Sequence, residues 1–186
     1  LLQYTAPVYV ALFSGWLLHE KIRWFDWAAI AAVLCGMAMF FMDQLSSGEM
    51  TGNILAILSG VTFASLVLFM RKQKDASPAG SAILGNLLTA LICLPWMVES
   101  LPGEADWIVL VLLGVFQLGL SYICYAVAIK KVTAMEGILI PMLEPILNPL
   151  WTFIFLGERL GLWALIGGFV VILSILFRNI MNSKFH

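Results

Sequence analysis

Charged residues are scarce in this chain: ten Lys and Arg with eleven Asp and Glu make 11% of 186 positions, against about 25% in soluble domains. The formal net charge of −1 offers no basic face for nucleic acid. Histidine is scarcer still: His19 lies in a break between apolar runs and His186 is the last residue, so neither suits a metal ligand or a catalytic base. There is no H-E-x-x-H and no nucleotide-binding motif, which argues against a zinc protease and against ATP coupling within this chain. Cys35, Cys93 and Cys124 each sit alone in apolar runs, without metal or disulfide spacing, and are expected as small interior residues. No cofactor or metal is expected. No linker between soluble domains and no low-complexity segment can be found. The opening Leu-Leu-Gln-Tyr-Thr-Ala-Pro has neither Met nor a basic n-region, so it does not read as a signal peptide. It reads as the interior of a membrane helix, with further helices expected upstream.

Apolar residues fill the space that charge leaves. They make up 62% of the sequence, and the mean hydropathy is +0.99. A soluble domain of this size could not hide so much apolar surface, whereas a bilayer can solvate it. A spanning helix needs about 20 mostly apolar residues at about 1.5 Å each. Seven segments meet or approach that length: 1–18 (cut short), 24–42, 51–70, 79–98, 106–129, 134–156 and 162–181. The expected fold class is therefore an all-α integral membrane protein, a multi-span helical bundle.

The breaks between spans carry the charge. Lys21, Arg23, Arg71, Lys72, Lys74, Lys130 and Lys131 fall in three alternate loops, and Arg178 and Lys184 near the C-terminus share their side. The other loops hold Asp43, Glu49, Glu99, Glu104, Asp106 and Glu158, with Arg159 their only base. Short loops rich in Lys and Arg stay cytoplasmic. The expectation is a multi-pass protein of the cell (inner or plasma) membrane with a cytoplasmic C-terminus. Trp24, Trp27, Trp96, Trp107 and Trp163 lie near span ends, where an indole keeps its ring in lipid and its N–H at the interface.

The chain also repeats itself at an offset of 138 residues. Residues 6–21 lie over 144–159 without a gap: Pro7 falls on Pro145, Leu12 on Leu150, Leu18 on Leu156, Glu20 on Glu158 and Lys21 on Arg159. A long internal period sets the architecture. The first copy ends in a basic loop and the second in an acidic one, and the copies are five helices apart, an odd number, so they point in opposite directions. Inverted repeats are a recurring transporter design, with substrate held near the midplane between the halves.

The residues Pro7…Glu20-Lys21 and Glu144-Pro145…Gly157-Glu158-Arg159, each followed by a Gly- or Ala-rich span, resemble the EamA family of the drug/metabolite transporter superfamily. That resemblance implies a ten-helix parent made of two inverted five-helix repeats with cytoplasmic termini. It assigns residues 1–42 to the fourth (partial) and fifth helices of the first repeat and 51–181 to the complete second repeat. It also implies a missing set of N-terminal helices from the same protein as partner. The two copies differ, with Ala6 where the second has Glu144 and His19 where it has Gly157, which speaks against a symmetric site.

Glu144 is the one formally charged residue near the centre of a span. A charge there costs about 2.5–3.5 kcal/mol on insertion scales, which makes it a functional candidate. Asn148 and Thr152 continue its stripe at steps of four. The competing reading is a protonated Glu144 bonded to a neighbouring helix for packing alone. Pro141, Pro145 and Pro149 share the same spacing. Each removes an N–H and blocks the carbonyl four residues earlier, so a kink is expected, with the carbonyls of Gly137, Pro141 and Pro145 open to water, a side chain or a substrate. Gln117, Ser121 and Tyr125 form another polar face at steps of four, either lining the path or packing helices together. Asn86, Thr89, Ser59 and Thr62 read as packing residues. Glu20 and Glu158, beside Lys21 and Arg159, read as terminal salt bridges or caps for the next helix.

Three functions compete. The first is a secondary-active exporter of small metabolites, by alternating access; amino acids and related amphipathic compounds are what the resemblance implies. The second is an intramembrane lipid-linked enzyme, which needs paired acids, a metal set or a nucleophile with its base. The spans are read as holding no His and a single carboxylate, which disfavours it. The third is a non-transporting membrane scaffold, which the inverted repeat disfavours. The partners expected are a small-molecule substrate, the lipid bilayer and, as an option, a second copy in a homodimer.

Overall fold

The structure, a computed structural model, describes residues 2–42, 50–97, 103–157 and 161–184. The expected loop charges Asp43, Glu49, Glu99, Glu158 and Arg159 lie outside the described residues. A 3₁₀ turn, Leu2–Thr5, leads into α1 (Ala6–Leu17), followed by α2 (Trp24–Phe40), α3 (Met50–Lys72) and α4 (Pro78–Met97). Next come α5 (Glu104–Leu112), a π-helical stretch Leu113–Leu120, and α6 (Ser121–Ala128). α7 (Ala134–Leu139), a 3₁₀ turn Ile140–Leu143, α8 (Glu144–Leu156) and α9 (Leu162–Lys184) complete the chain. Five helical runs are long and apolar enough to cross a membrane: Met50–Lys72, Pro78–Met97, Asp106–Ala128, Ala134–Leu156 and Leu162–Lys184, with Trp24–Phe40 a shorter apolar helix. The described residues are an all-α multi-span membrane protein.

The helix ends follow local chemistry. Asp26 and Asp106 reach back from the third helical position to the backbone N–H groups of Arg23 (2.8 Å) and Gly103 (3.0 Å), which would otherwise go unpaired at a helix start. Thr133 and Glu136 form a reciprocal capping box, satisfying two such groups at once. α8 stops at Gly157, whose left-handed φ of 71° suits a residue without a Cβ.

The chain forms two compact units, residues 1–69 with 133–186, and residues 70–132. In the first, α2 and α9 run antiparallel: Asp26 meets Arg178 at one end, and Phe40 meets Gly167 at the other. A Cβ on Gly167 would collide with the Gly36 carbonyl oxygen and lie 2.5 Å from the Phe40 nitrogen, and one on Gly36 would lie 2.7 Å from Val171 Cγ2. Lipid is as apolar as the side chains it would replace, so helices in a bilayer associate through close backbone approach at small residues. The buried positions of α9 are Gly167, Gly168, Val171, Ser174, Ile175 and Arg178. They are Ala29, Ile30, Val33, Gly36, Met37 and Phe40, all buried in α2, displaced by 138 residues. The repeat seen in the sequence is thus a repeat of the packed stripe, used once in each direction.

In the second unit α4 packs against α6. Arg71 Nη1 donates to the carbonyls of Ile129 (3.0 Å) and Lys130 (2.9 Å), closing off the end of α6. Leu87, Leu91, Ile108, Phe116 and Ile123 are all exposed, an apolar surface suited to lipid or to further membrane helices. The three cysteines, expected in the interior, are also exposed.

Candidate functional site

The site begins with the prolines. Pro145 has no N–H to give the carbonyl of Pro141, the bond an unbroken α-helix requires there. The Glu144 N–H donates to that carbonyl instead, a bond to the residue three earlier, and Ile140–Leu143 tightens into a 3₁₀ turn. The expectation of an open Pro141 carbonyl is corrected by this bond. Pro149 lies inside α8, which continues to Leu156, and Thr152 Oγ1 donates to the Pro149 carbonyl at 2.9 Å. Thr152 is thereby spent on its own helix.

The 3₁₀ turn also aims the carboxylates. At 3.0 rather than 3.6 residues per turn, each residue adds about 20°, or roughly 80° over four. Glu136 and Glu144, eight residues apart, would stand only about 80° apart around a regular helix, and the tightened turn roughly doubles that angle. Here Glu136 meets α9 through Arg178, while Glu144 lines a groove with Asn148, Gln3, Tyr4, Phe63, Pro141, Met142 and Pro145. The groove has a volume of about 300 Å³. Among the described residues neither the Glu144 carboxyl nor the Asn148 side-chain amide has a hydrogen-bond partner, so these polar groups are available to a ligand or water. The Tyr4 ring stacks on Phe41 at 5.7 Å, and α3 comes close enough that a Cβ on Gly60 would lie 3.0 Å from the Gln3 carbonyl oxygen.

Gln117, Ser121 and Tyr125 belong to the second unit, and Glu144 and Asn148 to the first. Gln117 stands in the π-helical stretch and Ser121 opens α6; both are exposed, and Tyr125 is half-buried. Wide π turns occur often at functional sites. The hydroxyls of Thr62 and Thr89 are bonded to carbonyls of their own helices, Ser59 at 3.0 Å and Gly85 at 2.9 Å.

The expectation of a single carboxylate in the spans is corrected by a second polar cluster, to which Arg178, grouped by sequence with the charges of the basic-loop side, also belongs. Asp26 and Glu136 lie inside the spans 24–42 and 134–156, and the side chains of Arg178 and Asp26 are each 3% exposed. Arg178 Nε donates to Asp26 Oδ1 at 2.8 Å and Nη1 to Glu136 Oε1 at 2.7 Å. Asn182 donates to the same Glu136 oxygen at 2.9 Å. Glu20, expected to form a terminal salt bridge or to cap the next helix, caps a distant one: its Oε2 accepts the Ala134 N–H of α7 at 2.8 Å. The available signal was that Asp26, Glu136 and Arg178 each stand a few residues inside a span end on the basic-loop side. The three charges therefore sit at one depth.

The EamA-like transporter family matches residues 1–42 and 50–180. An uncharacterized transporter of Archaeoglobus fulgidus is 26% identical over 178 residues, covering 95% of this chain and 64% of that protein. The threonine/homoserine exporter RhtA of Escherichia coli K12 is 32% identical over 167 residues, and that of Salmonella typhimurium SL1344 is 30% identical over 165, each match covering 86% of this chain and 54% of the exporter. The chain thus spans between about half and two-thirds of the length of these curated relatives. No solved structure matches at a significant level. With the family matched across almost all of its length, and with the apolar spans that a carrier needs, this chain belongs to the EamA-like transporter family.

Proposed function

We propose that the protein is a secondary-active exporter of small metabolites, such as amino acids or related amphipathic compounds, working by alternating access in the cell membrane. On this reading residues 1–42 end the first repeat, 51–181 form the second, the C-terminus is cytoplasmic, and about three upstream helices complete the carrier. The observation that carries the proposal is the groove at the broken middle of the Ala134–Leu156 span, where Glu144 and Asn148 present unpaired polar atoms at a depth where lipid tolerates neither. Discontinuous helices of this kind hold substrate in carriers built from inverted repeats. Glu144 supplies a carboxyl group to the groove and, among the described residues, no basic side chain lines it, so an ammonium group is the part of a solute it complements. The named exporters among the relatives support the same direction of transport.

The test is efflux per folded molecule, measured beside melting temperature, in the whole protein. Glu144→Gln keeps shape and hydrogen bonding but abolishes titration. Glu144→Leu removes the polar group and with it the insertion cost of about 2.5–3.5 kcal/mol. A path-lining Glu144 gives a leucine variant that is well expressed, at least as stable, and inactive. Normal export by Glu144→Leu, with lowered stability, would return Glu144 to a packing role.

A further inference from the structure

On one side of the groove α1 packs against the segment that carries Glu144. α1 and the α7–α8 segment are antiparallel. Gln3 and Tyr4, just before α1, share the groove with Glu144 and Asn148. From there Ala6, Val10, Ala11 and Ser14 of α1 are buried, and α1 packs on α7, where Ala134, Met135, Ile138 and Leu139 are buried in turn. Glu20, beyond the end of α1, closes this seam by accepting the Ala134 N–H at 2.8 Å. At that same end Glu136 of α7 holds Arg178 of α9 at 2.7 Å, and Arg178 holds Asp26 of α2 at 2.8 Å.

We infer that Glu20, Asp26, Glu136 and Arg178 form a latch that closes the groove toward the basic-loop side of the membrane, and that its release opens the groove to that side. The latch deepens the carrier reading and rests on it for the need to open and close. Two features suit these bonds to reversible use. Asp26 and Glu136 each also accept a backbone N–H, from Arg23 at 2.8 Å and Thr133 at 2.9 Å, and each sits in the first turn of a helix, where the dipole favours an anion. When Arg178 or Glu20 moves away, neither acid is left without a donor, so separation strands less charge than breaking an ordinary buried pair. The second feature is a difference in side chains between the two ends of the α2–α9 pair among the described residues. The positions related to Asp26 and Arg178 by the repeat are Ala164 and Phe40, which line an apolar pocket. Among the described residues one end carries an ion pair where the corresponding positions at the other carry apolar side chains.

The test reads accessibility from each face. In the whole protein, with Cys35, Cys93 and Cys124 replaced by alanine, an Asn148→Cys thiol is labelled with an impermeant maleimide in membrane vesicles of either orientation. The latch predicts labelling from the acidic-loop face and little from the basic-loop face. Glu20→Ala with Glu136→Gln should raise the basic-loop rate by at least about tenfold, the signature of a shifted two-state population. If the double variant folds poorly, Glu20→Ala alone should give a smaller rise in protein of unchanged melting temperature. Native labelling at equal rates from both faces, or folded variants that label no faster, overturns the latch. If labelling switches faces while no solute efflux is found, the latch stands and the carrier reading falls instead.

Discussion

The two ends of the α2–α9 pair are built from corresponding positions of the repeat, and they differ in chemistry. One end joins Asp26 to Arg178 and adds Glu136, Thr133 and Asn182 from outside the pair. The other sets Phe40 beside Ala164 and Gly168 in an apolar pocket of about 190 Å³. Between them the same six buried positions recur in each helix. A repeat used in both directions supplies a symmetric seam; substitutions at its ends then make one side of the membrane distinct from the other. The middle of the seam governs how closely the helices approach, and the ends govern which further helices are tied to it.

The largest expected effect sits at the charged end. Arg178→Leu leaves Asp26 and Glu136 without their cation; removing one partner of a buried pair costs about 3–5 kcal/mol, and the backbone donors that both acids keep place this loss toward the lower end. Phe40→Leu, at the corresponding position of the first repeat, changes shape alone and should cost less than about 1.5 kcal/mol. Thermal unfolding of both variants in detergent checks the pair; equal losses would erase the distinction between the ends.

The middle of the seam offers a smaller contrast. Gly167→Ala must push α2 away from the Gly36 carbonyl and the Phe40 backbone, and overpacking of this kind costs about 1–3 kcal/mol. Its counterpart in the first repeat is Ala29, where Ala29→Gly should cost about 1 kcal/mol through helix propensity alone. A Gly167→Ala protein as stable as the parent would show that the helices are less tightly joined than the backbone contact requires.

The orientation of the charged end is open to a test that changes no stability. Thiols at Gln73 and at the C-terminus should be shielded from an impermeant reagent in intact cells, while one at Ser47, outside the described residues, should react. Labelling of Gln73 from outside would put the Asp26–Arg178 end on the outer face and reverse the assignment of the latch.

Much of this protein was legible in its sequence. Span lengths follow from apolar runs, since a bilayer sets about 20 residues per helix. The opposed directions of the two copies follow from counting helices between them, and the family resemblance from a motif that occurs twice. Glu144 stood out because charge near the centre of a span is rare. Asp26, Glu136 and Arg178 were passed over because each lies near a span end, where an ordinary interfacial charge would also lie. Their pairing joins residues as far as 152 positions apart, and no periodicity argument predicts which helix faces which. Likewise Gln3, Tyr4 and Phe63 entered the groove only because α1 and α3 happen to pack there.

The sequence by itself determined the helices, their number of crossings within reach of a bilayer, and the repeated stripe of small and apolar residues, because these depend on local composition and period. Only the tertiary structure decided which polar groups meet. A proline-driven 3₁₀ turn rotates Glu144 away from the face of Glu136, and antiparallel packing brings Arg178 to Asp26. Both outcomes depend on the relative rotation and register of helices, which close contact between side chains sets and the sequence of any one helix does not.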